Sequence, residues 1–521
     1  MPVSDVCIVG AGPAGSVLAA RLAQAGLTVT LLEAGPRWSL AERAALVPLY
    51  LRGRNPWEVR GPGWHGYTNA GETSYKLGEN RAQGVGGGTL HWEGYTPRLA
   101  PEDFRLRSRH GVGEDWPFGY DELEPFYVRA EAELGVAGAA DGGAPPRSAP
   151  YPLEPFPHSY ADRFYAAACG QLGIAFGHLP QARNSRPYGG RAACAACGTC
   201  FVCPTGAKAT TDLTHVEAAL ATGRTTLLTG TVVQRLLARG RRVEGARARM
   251  REGEPVEPRA EVFVLAAGAV ENARLLLLSR GEGHAEGLAN SSGLVGRCLM
   301  MHPVVDVFGT VPRELFPYRT GFSTGASFHF ASPPDRARVG SLLLEFMNNA
   351  GPQPAEVVLG SDRWGEHLEE TIRDRFGRTA QVRFLVEQLP HPENAVELDA
   401  DVADPAGSPV PRLRLALREH ERRTMARAEE IGRGILQRMG AQDVGRRDSF
   451  AAHQAGTARM GADPHASVVD ADLRAHDADN LYVLGSSAFP TAGAANPTLT
   501  IAALALRLGD HLVERLGARA A

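Results

Sequence analysis

The chain has 521 residues, long for one hydrophobic core at about 100–200 residues per domain, so two or three units are expected and a lone binding module is excluded. Hydrophobic residues make up 44% and charged residues 22%, a balance that folds rather than one that stays disordered. Lys and Arg number 55 against 58 Asp and Glu, a net charge of -3, which leaves no cationic excess for a phosphate backbone and excludes nucleic acid as the main partner.

No apolar run approaches the about 18 residues that span a bilayer, so the chain is expected to have no membrane segment of its own, with docking to a membrane subunit left open. A strand-like run begins within the first ten residues, where a secretory leader would place a charged stretch and an apolar segment. A cytoplasmic chain is therefore expected unless a partner carries it out.

In chain order, Val6 to Val9 reads as a strand, Gly10 to Gly15 as a turn, the Ala/Leu-rich stretch to Gly26 as a helix, and Thr28 to Leu32 as a second strand ending at Glu33. This is a βαβ unit of a dinucleotide-binding type. Gly10 permits the tight turn, Gly12 lets the backbone approach a pyrophosphate, Ala14 lies inside the turn, and Gly15 allows close packing of helix on strand. The helix N-terminus attracts phosphate charge, and Glu33 at the second strand end suits ribose hydroxyls. Residues 36 to 80 read as a long surface excursion. A second glycine cluster, with Gly86 and Gly87, precedes Thr89, His91 and Trp92.

The Gly- and Pro-rich stretch 136 to 160 reads as a linker. It leads to Cys194, Cys197, Cys200 and Cys203, four of the seven cysteines. Their spacing fits an iron-sulfur cluster, a zinc site, or four free thiols in a loop. From 205 to 310 helix and strand alternate again: a helix near 212 to 222, strands at 225 to 235 and 261 to 266, and a helix from Val270 to Leu278. The region 311 to 449 holds short strands (Ser327 to Phe330, Val382 to Gln388, Ala395 to Asp399, Pro411 to Leu417) and an amphipathic helix at 420 to 439. That order reads as an antiparallel α+β unit. The fold class is therefore α/β. A Rossmann-like domain (1–135, 205–310, 450–521) is interleaved with an α+β domain built on an antiparallel sheet (311–449), and a linker and cysteine-rich segment (136–204) lies between.

The tail brings a strand at 481 to 484, a turn at Gly485, and a helix from 498 to about 516. Asn496, Pro497 and Thr498 open that helix: either Asn496 caps it, or its side chain enters a pocket while the helix dipole steadies an anion. His453 sits in the irregular segment His453-Gln-Ala-Gly-Thr-Ala-Arg-Met-Gly461.

GAGPAG with Glu33, GVGGGTLHW, AAGAVENARLLLLS, GLVGRCLMMHP, HQAGTARMG, SVVDADLRAHDADNLYVLGSSAFP and NPTLTIAALALR together resemble the glucose-methanol-choline (GMC) oxidoreductases, in order and spacing. The resemblance implies FAD as cofactor and His453 with Asn496 as the catalytic pair. The chemistry accounts for the residue types, since a base must remove a hydroxyl proton while a hydride leaves carbon, and an amide can hold the same hydroxyl. Gly86-Gly87-Gly88-Thr89-Leu90-His91-Trp92 resembles the flavin-linking stretch of pyranose oxidases and related sugar dehydrogenases, which implies either a covalent His91 or one packed beside the flavin. Val233 matches an adenine-contacting position. Some GMC sugar dehydrogenases carry an iron-sulfur cluster near the cysteine run, with different spacing.

The variants GGGTLHW and NPTLTI imply a sugar, glycoside, polyol or sugar acid as substrate, with oxygen, a quinone or a cytochrome as acceptor. In the expected substrate unit, alternation along Val382 to Gln388 turns Glu387 or Gln388 to the flavin, and the Gln388 amide suits a sugar hydroxyl. Two rival readings are the flavoprotein subunit of a membrane dehydrogenase complex with a cluster, and a cyanohydrin lyase on the same fold.

Overall fold

The structure is a computed structural model and describes residues 3–52, 55–57, 66–251, 253–317, 320–351 and 354–517. Its first unit is a five-stranded parallel sheet in the order Leu481–Val483, Ala260–Leu265, Ser4–Val9, Val29–Leu32, Thr225–Leu228. These strands are almost continuously apolar because a parallel sheet is covered on both faces. Helix Pro13–Gln24 packs against the C-terminal helix Thr498–Gly517, which buries Leu499, Leu504, Leu506 and Leu508 in the main core.

The second unit is a six-stranded antiparallel sheet in the order Gln442–Phe450, Pro303–Thr310, Thr379–Val386, Leu342–Met347, Ser323–Ser327, Gly177–His178. On one face Val305, Val307, Leu344, Phe346, Val382 and Phe384 pack beneath the long helix Glu419–Arg438. On the other face Val304, Leu343 and Leu385 meet Tyr95 and Ala494 of the first unit. Alternation along a strand therefore turns Asp306, Glu345 and Arg383 toward the first unit as well.

The structure revises several expectations. The run 225 to 235 splits into Thr225–Leu228 in the parallel sheet and Thr231–Arg239 in a separate three-stranded meander with Arg242–Met250 and Pro255–Val256. The strand expected at Ser327 to Phe330 lies earlier, at Ser323–Ser327, and the helix near 212 to 222 begins as a π-turn, Asp212–Val216, before Glu217–Ala221. The segment 136 to 204 is no slack linker. Ala137 pairs with Gln181, helix Asp162–Gln171 joins the core under the long helix, and Gly177–His178 extends the antiparallel sheet. Its glycines serve contact, since a Cβ on Gly177 would stand 2.5 Å from the amide nitrogen of Gly142. The excursion 36 to 80 holds helix Leu40–Leu51 and strand Thr68–Ala70, and its residues 53–54 and 58–65 lie outside the described ones.

Candidate active site

A cleft opens at the carboxyl ends of the parallel strands, where α/β sheets bind nucleotides. Gly10, Gly12, Ala14, Glu33, Val233 and Gly485 line it, and His91 lies at its wall. Gly10 has φ +106°, and a Cβ there would stand 2.6 Å from the Ala266 carbonyl oxygen. Gly15 lies outside the cleft, and a Cβ on it would meet the Gly10 carbonyl oxygen at 2.0 Å, so its role is the close packing of helix on strand. Gly12 caps the helix with no side-chain hydrogen bond, so the first-turn amides stay available to an anion. The Glu33 carboxylate accepts from the amides of Ala11 (3.0 Å) and Gly35 (2.8 Å), and burial raises its pKa.

The second glycine cluster closes on the first. The Gly86 amide donates to the Ala11 carbonyl at 2.8 Å, and a Cβ on Gly87, at φ +50°, would stand 2.7 Å from the Gly12 Cα. Thr89 turns inward, donating to the Gly86 carbonyl (2.6 Å) and accepting from the Thr211 amide (3.0 Å). Beyond it, Lys208 is fully buried and donates to the carbonyls of Leu90 (3.1 Å) and Trp92 (2.7 Å), bracketing His91. Burial, with Lys208 nearby, lowers the His91 pKa to about 4, so the imidazole is neutral. The sequence reading missed Lys208, which only the fold brings beneath this turn.

His453 follows strand Gln442–Phe450. Pro303 pairs with Phe450, whereas Met300 pairs with Ala455, so two extra residues bulge from the 451–455 side. Such bulges aim a side chain out of the ladder. His453 Nδ1 lies 2.9 Å from His302 Nδ1, the rings nearly perpendicular at 83°. Burial first, then His302, His91 and Arg383, hold the His453 pKa well below the ordinary histidine range. His453 is therefore a neutral imidazole at neutral pH, and Ala452 and Gln454 on either side of it line the cleft.

Asn496 does not cap its helix. Its Oδ1 is buried without a hydrogen-bond partner, and its Nδ2 faces Glu345 Oε1 at 3.5 Å. Pro497 accepts from the Ile501 amide (2.9 Å) and Thr498 begins the helix, so neither lines the cleft.

Glu345 ends a charged row that crosses the antiparallel sheet. Arg447 stands opposite Asp306, Asp306 opposite Arg383, and Arg383 opposite Glu345. Asp306 accepts from Arg383 at 2.9 and 3.2 Å, from Gln381 at 2.7 Å and from Arg447 at 3.3 Å. Burial raises the Glu345 pKa to about 8, against the pull of Arg383 and helped by Glu93 and Asp306. Glu93 is raised the same way. Arg383 keeps 28% of its side chain uncovered, and Glu93 and His453 are half-buried. Through Arg383, whose charge bears on His453, Glu93 and Glu345 alike, this row and His453 belong to one polar centre.

One expectation changes here, and of the three readings of the cysteine run the structure describes the free thiols. Gln388 lies past the strand end at Val386, and its amide accepts from the Met301 amide at 2.7 Å, so it braces the chain and Arg383 and Glu345 occupy the inward face instead. The four cysteines are free thiols, and among the described residues no three His, Cys, Asp or Glu converge as metal ligands. Cys194 accepts from the Ala196 amide (3.4 Å), exposed Cys197 pairs with Thr199 (2.9 Å), Cys203 accepts from the Lys208 amide (3.3 Å), and burial pushes the Cys200 thiol up to about 11. Each thiol is taken up by its own turn or by the core.

Comparison with known proteins agrees with this fold. Family models described as GMC oxidoreductase match residues 80–304 and 390–505, and one described as an NAD(P)-binding Rossmann-like domain matches 8–42. The chain is 32% identical to the fructose dehydrogenase large subunit of Gluconobacter japonicus, over 98% of each chain. It is 33% identical to the 2-methyl-1,2-propanediol dehydrogenase of Mycolicibacterium austroafricanum, over 98% of this chain and 95% of the other. The crystal structure of pyridoxine 4-oxidase from Mesorbium loti shares the fold, with TM-score 0.65 at 22% identity, covering 98% of this chain and 99% of that one.

Proposed function

The chain belongs to the GMC oxidoreductase family and is an FAD-dependent alcohol and sugar oxidoreductase, and from that premise we propose that it oxidises a CH–OH group of a sugar, glycoside, polyol or sugar acid with His453 as the base. The residues present fit FAD: the uncapped amides after Gly12 would hold a pyrophosphate, Glu33 and Val233 line the cleft beyond, and Gly87 and Gly12 leave no room for a Cβ between them. Bound FAD supplies the two-electron acceptor for the hydride that leaves the carbinol carbon. His453 takes the hydroxyl proton, and as the C–H bond breaks the carbon-oxygen bond becomes a carbonyl. Asn496 holds the same hydroxyl in reach of the base.

The observation that carries this reading is the neutral His453, between two residues that line a dinucleotide cleft, under the charge of the same Arg383 that bears on Glu345, the partner of Asn496. Charged and amide groups in a half-covered centre offer hydrogen bonds to several hydroxyls and little to a sterol or a long alkyl chain. The names of the two relatives above, a sugar and a diol dehydrogenase, point the same way. His91, neutral at the cleft wall, would meet the flavin edge; yellow colour that stays with acid-precipitated protein marks a bond, and colour released to the supernatant a non-covalent contact.

Anaerobic mixing with a panel of hexoses, glycosides, polyols and sugar acids should bleach the flavin. His453→Ala should slow that bleaching by about 10²–10⁴-fold with flavin content retained. Bleaching by a steroid and not by the panel refutes the substrate class, and an unimpaired His453→Ala refutes the base. Reoxidation of the bleached protein with oxygen, a quinone and a cytochrome identifies the acceptor.

A further inference from the structure

Tyr75 lies on the stretch 66–83, between strand Thr68–Ala70 and Leu77, Asn80, Arg81 and Gln83, which line the dinucleotide cleft. It is buried in a core cluster with Leu299, Met301, Leu413 and Leu415, and its ring stands edge-on to Phe450 at 6.1 Å and 82°. A phenol has one proton to give and lone pairs that accept others. The Tyr75 hydroxyl donates to the Ala451 carbonyl at 3.2 Å and accepts from the side-chain amide of Gln454. Burial raises its pKa above the ordinary phenol range, so the donated proton stays on the oxygen.

Ala451 and Gln454 bracket the base, with Ala452 and His453 between them. On either side the backbone is pinned: the Ala451 amide donates to the His302 carbonyl at 3.0 Å, and Met300 and Ala455 exchange both amide bonds at 2.9 Å. The two extra residues between these anchors leave the ladder, so cross-strand bonds do not fix the shape of the bulge. The Ser486 hydroxyl holds one end by donating to the Gln454 carbonyl at 2.6 Å. The Tyr75 hydroxyl is bonded to both ends, and so sets how far apart they stand and the direction in which His453 leaves the chain.

The stretch 66–83 has other anchors. Asn69 accepts from the Tyr75 amide at 2.9 Å and donates to its carbonyl at 3.1 Å, Arg81 donates to Glu271 at 2.6 Å, and Arg251 donates to Gln83 at 2.6 Å. Removing the hydroxyl oxygen alone leaves these bonds, and the packing of the ring, in place.

We propose that Tyr75 is a positioning residue for the oxidation, its hydroxyl clamping the two ends of the bulge so that the His453 imidazole is held within reach of the substrate hydroxyl. The inference rests on His453 as the base. It ties the wall of the cofactor cleft to the segment that carries the base.

The test compares wild type, Tyr75→Phe, Gln454→Met and the double variant, each loaded with flavin. Phe keeps the ring and loses only the clamp. In Tyr75→Phe the limiting rate of anaerobic flavin reduction should fall on the order of 10-fold or more, because rate is lost steeply when a reacting group is misplaced. Half-saturation should change by less than about 3-fold, because the groups that hold substrate remain. A merely structural hydroxyl would lower the unfolding midpoint and leave the limiting rate unchanged. The double variant should be no slower than the slower of the two single ones, since independent sites would multiply their losses. Hydrogen exchange at the Ala451 and Ala455 amides should quicken in Tyr75→Phe, with flavin content equal to that of wild type.

An unchanged limiting rate in Tyr75→Phe, unchanged exchange at those two amides, or multiplied losses in the double variant overturns the proposal. Loss of flavin from Tyr75→Phe overturns it as well, because the hydroxyl would then serve the cofactor and not the base. If His453→Ala reduces flavin at the wild-type rate, the base assignment fails and the clamp with it. With His453→Ala slow, any of the four outcomes above fails the clamp alone.

Discussion

Glu345→Gln removes one ionisation from the polar centre and leaves its shape. In the folded protein burial lifts this carboxyl from its ordinary 4.5 to about 8, and at about 1.4 kcal/mol for each tenfold change in proton affinity that is about 5 kcal/mol as an upper bound. The sign follows from linkage: a folded-state pKa above the unfolded one means the native protein binds the extra proton, so this stabilisation is complete below about pH 4.5, declines as pH rises, and is gone above about pH 8. Gln imitates the protonated acid, so at about pH 5 the two proteins should unfold at nearly the same guanidinium concentration. At about pH 9 the variant should be the more stable by several kcal/mol. Glu93, also raised by burial, leaves a shallower slope in both.

The same substitution acts on catalysis. Above about pH 8 ionised Glu345 puts negative charge beside Asn496, the group proposed to hold the hydroxyl as it loses its proton. Flavin reduction in the wild type should therefore fall on the alkaline side and stay level in Glu345→Gln. Guanidinium midpoints and reduction rates measured across the range test both effects. Unfolding midpoints that run parallel from acid to alkaline pH, or an alkaline limb that survives in the variant, refute the reasoning.

Two further substitutions probe what holds the site. Gly87→Ala forces a Cβ to within 2.7 Å of the Gly12 Cα from a φ of +50°, so it should yield folded protein with little bound flavin, read from visible absorbance against circular dichroism. Arg336 is fully buried, bonded to Asp103 and, at 2.6 Å, to Glu387, and so ties the first unit to the antiparallel sheet. Arg336→Met should cost about 3–5 kcal/mol in denaturant unfolding because two buried carboxylates lose their cation, and a loss below about 1 kcal/mol contradicts that account.

The dinucleotide half of the site was legible in the sequence because its signals are local. Gly10, Gly12, Gly15 and Glu33 lie within one βαβ unit, and their spacing alone dictates the turn, the close approach and the strand end. Pro497 likewise marked the start of the last helix. The role of Asn496 was not decided there, since capping and entering a pocket need the same residue at the same place. Its unpartnered Oδ1 and its contact with Glu345 exclude the cap.

The half proposed to face the substrate was not legible. Arg447, Asp306, Arg383 and Glu345 lie on four separated strands, and only their register lines them up. A boundary shift of two residues was enough to favour Gln388 over Arg383. Composition misled at 136–204 for a related reason: Gly and Pro show where a chain turns, not whether the turn is slack or pressed against its neighbour. The chain by itself thus determined the cofactor fold, the family motifs and the presence of His453. Tertiary structure alone decided what surrounds that imidazole, because pairing with His302, burial and the charge of Arg383 arise between segments that meet only when the sheet is assembled.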